Sequence, residues 1–125
     1  MSTHESAEDY LERILMLEEE GNDGIHAVDL ASSLGYSKPS VSIALDKLIN
    51  QNLVTIDECH HLHLTSEGRK IASMIYDRHK VLGAFFVQLG VPSEIAYNDA
   101  CKIEHDLSNE TFNALKKLYL ANKDN

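Results

Sequence analysis

Hydrophobic residues recur every three to four positions along most of the chain, a spacing typical of amphipathic helices. The pattern predicts a first helix over about residues 6–20, which the turn-forming stretch GNDG at 21–24 ends. It predicts a second, shorter helix over AVDLASSL, with Gly35 as its C-terminal stop. A third helix should follow, because Ser37 can cap it and Pro39 can occupy its first turn. Two helices joined by such a tight turn are expected to form a helix-turn-helix.

The pattern changes to short apolar runs between Leu53 and Thr65, where LVTID and LHLTS are separated by ECHH. Short runs on either side of a polar turn predict a β-hairpin. Thr65 or Ser66 can then cap a long amphipathic helix. We therefore expect a mainly α-helical fold with a small β-hairpin. It should comprise a winged helix-turn-helix over residues 1–70 and a helical domain over residues 71–125.

Composition narrows the possible functions. The chain has 125 residues, 43% of them hydrophobic, and a formal net charge of −9. Because phosphate neutralisation needs Lys and Arg, any contact with DNA must be local, dimeric or assisted by a bound cation. The two cysteines have no paired spacing, and we find neither a long apolar run nor a signal-peptide pattern. These features predict a cytoplasmic protein with free thiols and no membrane partner.

The segment NDACKIEHDL at 98–107 raises the question of a metal site, because Cys101, Glu104 and His105 lie within five residues. On a helix from Ser93 to about Leu107, these three side chains would lie beside the apolar stripe, where they lose part of their hydration. They would offer sulfur, oxygen and nitrogen donors to a divalent transition metal. The same pattern also fits the polar flank of an ordinary helix with a small buried cysteine.

Further donors occur elsewhere, each with a structural alternative. His79 interrupts the apolar stripe of the long helix, where it is either a core residue or a ligand. Asp9 and Glu12 point away from the main apolar face of the first helix. However, Ser6 and Asp9 also match a capping box. Surface solvation is sufficient to explain other acidic residues of this helix, such as Glu8.

The segment CHHLH at 59–63 has the residue types of a zinc site. Its donors are crowded, and neighbouring side chains on a strand face opposite sides of a sheet. We therefore expect adventitious rather than physiological metal binding at this turn.

Four segments occur in a fixed order: EDYLERILML, LASSLGYSKPSVSIALDKL, LTSEGRKIA leading to DRHKVL, and NDACKIEHDLS. Together they cover about residues 5–120 and resemble the metal-dependent repressors of the diphtheria toxin repressor family, especially its short manganese-transport-regulator branch. The resemblance implies a transcriptional repressor rather than an enzyme, with a helical metal-binding and dimerisation domain. It implies metal ligands at Asp9, Glu12, His79, Cys101, Glu104 and His105.

The ligand set departs from a single family pattern. Asp9 follows the manganese regulators, whereas Cys101 follows the iron regulators, because manganese regulators tend to carry Glu at that position. A thiolate favours softer ions than Mn²⁺. We therefore expect Fe²⁺ or Mn²⁺ in the cell, with Co²⁺, Zn²⁺ or other divalent metals able to substitute in vitro. Gly83 and Tyr97 stand where the iron branch would supply Glu and His, which favours one principal metal per subunit.

The expected partners are DNA and a second copy of the chain. Because such modules read two half-sites, we expect a homodimer on a double-stranded, palindromic operator. DNA contacts are predicted at Ser37, Lys38, Pro39, Ser40, Ser42, Lys47, Arg69 and Lys70. The three last-named cations are equally well explained by solubility. Apolar surface for the dimer is expected from Phe85, Phe86, Leu89, Phe112, Leu115 and Tyr119.

The resemblance also suggests how metal controls DNA binding. Asp9 and Glu12 belong to the DNA-binding half and the other ligands to the helical half, so a shared metal would select one orientation of the recognition helices. Few residues follow Asn109, so we expect no third, SH3-like domain of the kind that longer family members carry.

Two other classes of function stay open at this point. The chain could be a winged-helix regulator that senses a small organic ligand, in which case His79 and Cys101 are core residues. It could also be a small metalloenzyme, although no separate general base or nucleophile accompanies the ligand set.

Overall fold

The computed structural model describes residues 3–123, and the side chains from residue 7 onward. Within that range the chain forms six helices and one hairpin. In chain order these are α1 (Thr3–Glu19), α2 (Ala27–Leu34), α3 (Lys38–Asn50), β1 (Val54–Ile56), β2 (Leu62–Leu64), α4 (Ser66–Gln88), α5 (Ser93–Ile103) and α6 (Asn109–Lys123). The predicted mainly helical fold with a two-stranded hairpin is confirmed. The chain divides into two compact units, residues 1–74 and 75–125, at a point inside α4.

The first unit contains the helix-turn-helix. α2 ends where Gly35 takes the left-handed conformation with φ of 73°, as a glycine stop predicts. α3 begins after Ser37, whose side chain accepts a hydrogen bond from the Ser40 backbone N–H at 3.3 Å. Because α1 already begins at Thr3, Ser6 lies inside the helix and is not its N-cap residue. The capping-box alternative for Asp9 is therefore wrong.

The hairpin is antiparallel, and Val54 lies opposite Leu64. Its turn lacks glycine, and His60 adopts the required left-handed conformation with φ of 64°. Thr65 caps α4, because its Oγ1 accepts from the Gly68 N–H at 3.0 Å and donates to the Asn52 carbonyl at 2.8 Å. The start of the long helix is thereby fixed at the end of the hairpin.

The second unit consists of the later part of α4 with α5 and α6. Its core contains Val81, Leu82, Ala100 and Phe112, and partly buried apolar residues pack around them. The prediction that Phe85 and Phe112 supply dimer surface is therefore wrong, because both side chains are buried. Phe86, Leu115 and Tyr119 pack against the core but stay partly exposed, so a role for them in the dimer stays a prediction. Leu89, by contrast, is 65% exposed.

α5 also differs from the prediction, because it ends at Ile103 rather than near Leu107. Glu104 is its C-terminal cap residue, and residues 104–106 form a turn. No helix in the described part of the chain is long and apolar enough to cross a membrane.

Candidate metal centre

Glu104 is the centre of a buried polar cluster in the second unit. Its side chain is 0% exposed, and its Oε2 lies 3.0 Å from Nδ1 of His79 on α4. Its Oε1 lies 3.5 Å from Nε2 of His105, whose side chain is 2% exposed. Burying a carboxylate is costly unless hydrogen bonds or a cation stabilise the charge. Two imidazoles therefore lie where they, or a metal that they bind, can stabilise this charge.

Cys101 adds a sulfur donor to the same cluster. One donor atom from each of His79, Cys101 and Glu104 can be chosen so that all three lie within 4.8 Å of one another. Metal–ligand bonds of about 2.0–2.3 Å place neighbouring donors roughly 3–4 Å apart, so small side-chain movements would bring the set into range. One nitrogen, one sulfur and one oxygen donor suit a divalent transition metal. The residues present therefore fit a metal ion.

The structure places these donors differently from the helical geometry expected of the sequence. Cys101, Glu104 and His105 were expected together on the partly buried flank of one helix. Instead, Glu104 is fully buried whereas Cys101 is exposed. Glu104 keeps helical backbone angles as the cap residue of α5, and it follows the buried Ala100 by four residues, so it continues the buried stripe of the helix.

Arg78 stabilises the turn after α5, and the sequence analysis did not identify it. Its guanidinium is buried, and Nη1 donates to the carbonyl oxygens of Glu104 at 2.9 Å and Leu107 at 2.7 Å. Nη2 donates to Oδ1 of Asn109 at 2.6 Å. A cation at a helix C-terminus is favourable because the last carbonyl groups lack helical partners. The sequence offers one sign that Arg78 is important, namely its position three residues after Ile75 on the inward face of α4.

An aromatic ring lies against His79. The rings of Tyr97 and His79 have centroids 5.6 Å apart at an angle of 45°. A Cβ atom at Gly83 would overlap carbon atoms of the Tyr97 ring. Glycine at 83 therefore allows the Tyr97 ring to pack directly on the backbone of α4. The ring fills the space beside His79.

The acidic residues of α1 belong to the first unit. Glu12 is buried and Asp9 is half-buried. Glu8 is also buried, so explaining it by surface solvation was wrong. Any role of Asp9 and Glu12 as metal ligands stays a prediction.

The residues predicted to contact DNA are all exposed: Ser37, Lys38, Pro39, Ser40, Ser42, Lys47, Arg69 and Lys70. Two of the cations already have acidic partners. Nη2 of Arg69 lies 2.9 Å from Oε2 of Glu18, and Nζ of Lys70 lies 3.7 Å from Oε1 of Glu67. Exposed pairs of this kind are weak, so both cations stay available for phosphate.

His61 and His63 of the hairpin lie close to the Asp57 carboxylate. Nε2 of His63 lies 2.7 Å from Oδ2 of Asp57, while the backbone N–H groups of Cys59 and His61 donate to Oδ1. The hydrogen bond with the His63 side chain, followed by that from the His61 backbone, lowers the pKa of Asp57 to about 2. Among the described residues, none of the donor groups with metal-binding spacing includes a hairpin residue.

Family models match both parts of the chain. The model described as "Iron dependent repressor, N-terminal DNA binding domain" matches residues 2–62. The model described as "Iron dependent repressor, metal binding and dimerisation domain" matches residues 65–123. The chain belongs to the iron-dependent repressor family.

Individual members of the family support the assignment. The transcriptional regulator MntR of Escherichia coli O6:H1 is 37% identical over 112 residues, which cover 90% of this chain and 72% of that protein. Two solved structures each cover 90% of this chain. A manganese-dependent transcriptional repressor in complex with manganese has a TM-score of 0.84 at 29% identity, and ScaR with bound Zn²⁺ has 0.74 at 30%. The chain spans 52% of the length of each of these solved chains.

Membership of the iron-dependent repressor family decides among the classes left open by the sequence. The chain is a transcriptional regulator with DNA-binding and metal-binding domains, and not an enzyme. Its second domain is of the dimerising type. The buried cluster therefore lies in the domain that the family model describes as metal-binding.

Proposed function

We propose that this protein is a repressor of metal-ion homeostasis genes that binds a palindromic operator as a homodimer when Fe²⁺ or Mn²⁺ is bound. The observation that carries the proposal is the buried Glu104 carboxylate, with the His79 and Cys101 donors close by. When bound, a divalent cation would supply the positive charge that a buried carboxylate requires. Operator binding would take place in the cytoplasm.

The ligands we propose are Asp9, Glu12, His79, Cys101, Glu104 and His105. His79, Cys101, Glu104 and His105 are supported by their grouping in the second unit. Asp9 and Glu12 are supported by the family resemblance and by the chemistry of carboxylates, which suits Mn²⁺ and Fe²⁺. Ligands drawn from both domains would let metal binding favour one arrangement of the DNA-binding helices, to the extent that the two states differ in metal affinity.

One metal per subunit is favoured by the aromatic wall of the site. Tyr97 fills the space beside His79, and Gly83 contributes no side chain there. Neither residue offers the carboxylate or imidazole that a second site would need. The thiol of Cys101 shifts the expected preference from Mn²⁺ towards Fe²⁺, because sulfur is a softer donor than oxygen.

The DNA-reading surface is proposed to lie at the start of α3. Ser37, Lys38 and Ser40 are exposed there, and Oγ of Ser37 donates to Oγ of Ser40 at 2.8 Å. Lys38 can contact phosphate, while the hydroxyl groups can contact phosphate or base edges. The proposed set also contains Pro39, Ser42, Lys47, Arg69 and Lys70.

The decisive experiment measures DNA affinity against metal concentration under anaerobic conditions. An operator is first selected from a random pool of double-stranded DNA in the presence of Mn²⁺ or Fe²⁺. Mn²⁺, Fe²⁺, Co²⁺ and Zn²⁺ are then titrated separately, and we expect Fe²⁺ or Mn²⁺ to increase operator affinity at least tenfold. Glu104→Gln should abolish the increase and Cys59→Ser should preserve it. An operator affinity that none of the four metals changes would contradict the proposal.

A further inference from the structure

Two consecutive residues of α4 hold the two ends of Glu104. His79 lies 3.0 Å from the carboxylate, and Arg78 donates to the backbone carbonyl of the same residue at 2.9 Å. One contact concerns the metal-binding group itself and the other concerns only the main chain. The backbone of this proposed ligand is therefore held by a side chain that has no need to touch a metal.

Arg78 joins three segments of the second unit through its guanidinium. Nη1 reaches Glu104, the C-terminal cap residue of α5, and Leu107 in the following loop. Nη2 reaches Asn109, the first residue of α6. The Cζ atom of the guanidinium lies over the Phe112 ring, 5.3 Å from its centroid. Only a planar group with several fixed donors can satisfy these acceptors together.

The burial of Arg78 is unusual for a charged side chain. Its side chain lies on the inward face of α4 between Ile75 and Leu82 and is 5% exposed. Arginine is almost never buried to this extent unless its donors are used. Three hydrogen bonds, to Glu104 in the turn after α5, to Leu107 in the loop and to Asn109 at the start of α6, supply that use. The turn in question carries Glu104 and His105, two of the proposed ligands.

We propose that Arg78 is a positioning residue of the metal centre, which fixes the turn after α5 so that Glu104 faces His79. The proposal rests on the proposed function, because it presumes that this cluster binds metal. Without the guanidinium, the carbonyl groups of Glu104 and Leu107 lose a buried donor and the turn is free to reorient. The Glu104 carboxylate then spends less time in the orientation that binds metal, so metal affinity falls although every ligand is present.

The test compares Co²⁺ binding by full-length variants under anaerobic conditions, because Co²⁺ absorbs according to its ligands and geometry. Arg78→Met should weaken Co²⁺ binding about 10–100-fold, the range typical of residues that orient ligands. It should also alter the ligand-field spectrum. Arg78→Lys should recover part of the affinity. Asn109→Ala removes a single hydrogen bond and should cause a smaller loss in the same direction.

Lys80→Met is the matched control, since it also replaces a cation next to His79 with methionine. Lys80 is exposed and lies over the ring of Tyr76, so its loss should leave affinity and spectrum unchanged. Circular dichroism and a cooperative thermal transition establish that each variant is folded.

The outcomes separate this proposal from the proposed function. If wild type binds Co²⁺ and folded Arg78→Met binds it with the same affinity and spectrum, the positioning role is wrong while the metal centre stands. If Arg78→Met does not fold, Arg78→Lys and Asn109→Ala decide, and wild-type affinity and spectrum in both would overturn the proposal. A wild-type chain that binds no Co²⁺, Fe²⁺ or Mn²⁺ would overturn the proposed function and this proposal with it.

Discussion

Among the described residues, two clusters place one carboxylate near two histidines, and they differ in burial. In the hairpin, Asp57 is 39% exposed and lies near His61 and His63. In the second unit, Glu104 is 0% exposed and lies near His79 and His105. Each cluster also has a cysteine close by in the sequence. The residue types are therefore shared, and burial is the main difference.

The difference in burial changes what stabilises the negative charge. Asp57 is partly exposed to solvent, and the side chain of His63, together with two backbone N–H groups of its own turn, holds its pKa at about 2. Glu104 is fully buried, and His79 on α4 and His105 in its own turn lie near its carboxylate. A carboxylate that is satisfied locally does not need a metal. A buried one on which donors from separate segments converge provides a site for it.

Glu104→Gln should have the largest effect of any single change at these two clusters. It removes a negatively charged donor from the buried site, so metal affinity should fall by more than the about 10–100-fold that changes to orienting residues cause. Calorimetric titration with Mn²⁺ and Co²⁺ measures the loss. Asp57→Asn is the matched control at the exposed cluster and should bind metal as wild type does. Equal losses in the two variants would remove the distinction between the clusters.

Cys101→Glu should change metal preference rather than abolish binding. Replacing a thiolate with a carboxylate favours a harder ion, so the ratio of Mn²⁺ affinity to Co²⁺ affinity should rise on the order of tenfold. Competition titrations against a chelator measure the ratio. The corresponding change at the other cysteine, Cys59→Glu, should leave it unaltered. An unaltered ratio in Cys101→Glu would show that the sulfur does not select the metal.

Lys38→Ala should weaken DNA binding and leave metal affinity unchanged. Loss of one exposed cation per subunit should weaken operator binding about fivefold and reduce its dependence on salt concentration. Fluorescence anisotropy at several salt concentrations measures both quantities. Lys117→Ala, which removes an exposed cation of the second unit, should change neither. A Lys38→Ala variant with altered metal affinity would contradict the separation between exposed and buried polar residues.

Asp57→Asn should have the smallest effect, confined to the hairpin. Because the pKa of Asp57 is lowered from 3.8 to about 2, its charge stabilises the folded state above about pH 4, and this contribution disappears as the pH falls through about 2. In the Asp57→Asn variant, folded-state stability should lack this part of its dependence on pH. Hydrogen exchange at the Cys59 and His61 amides should be faster in the variant at pH 6. Unchanged exchange would show that the carboxylate does not hold the turn.

The sequence identified features that depend on local chemistry. Ser37, Gly35 and Thr65 mark helix ends through side-chain size and hydrogen bonding within a few residues, and the structure confirms all three. The four donors of the second unit were also identified, because spacing and the family resemblance pointed to the same residues. Local rules were sufficient for these helix ends, whereas the donor set also required the family resemblance.

Features that depend on distant residues could not be predicted. α5 ends at Ile103, and the carbonyl group of the next residue accepts a hydrogen bond from Arg78, 26 residues earlier in the chain. Phe112 was expected on a dimer surface, and its burial depends on how α6 packs against α4 and α5. Helical periodicity shows that a face is apolar without showing what covers it.

The packing of Tyr97 on Gly83 limits the order in which these two positions can change. Any side chain added at Gly83 while the ring is present meets carbon atoms of that ring, so substitution there is blocked first by overlap. Reducing Tyr97 to a smaller residue opens the space and makes position 83 permissive. A ligand added at position 83 therefore requires a smaller residue at position 97 first.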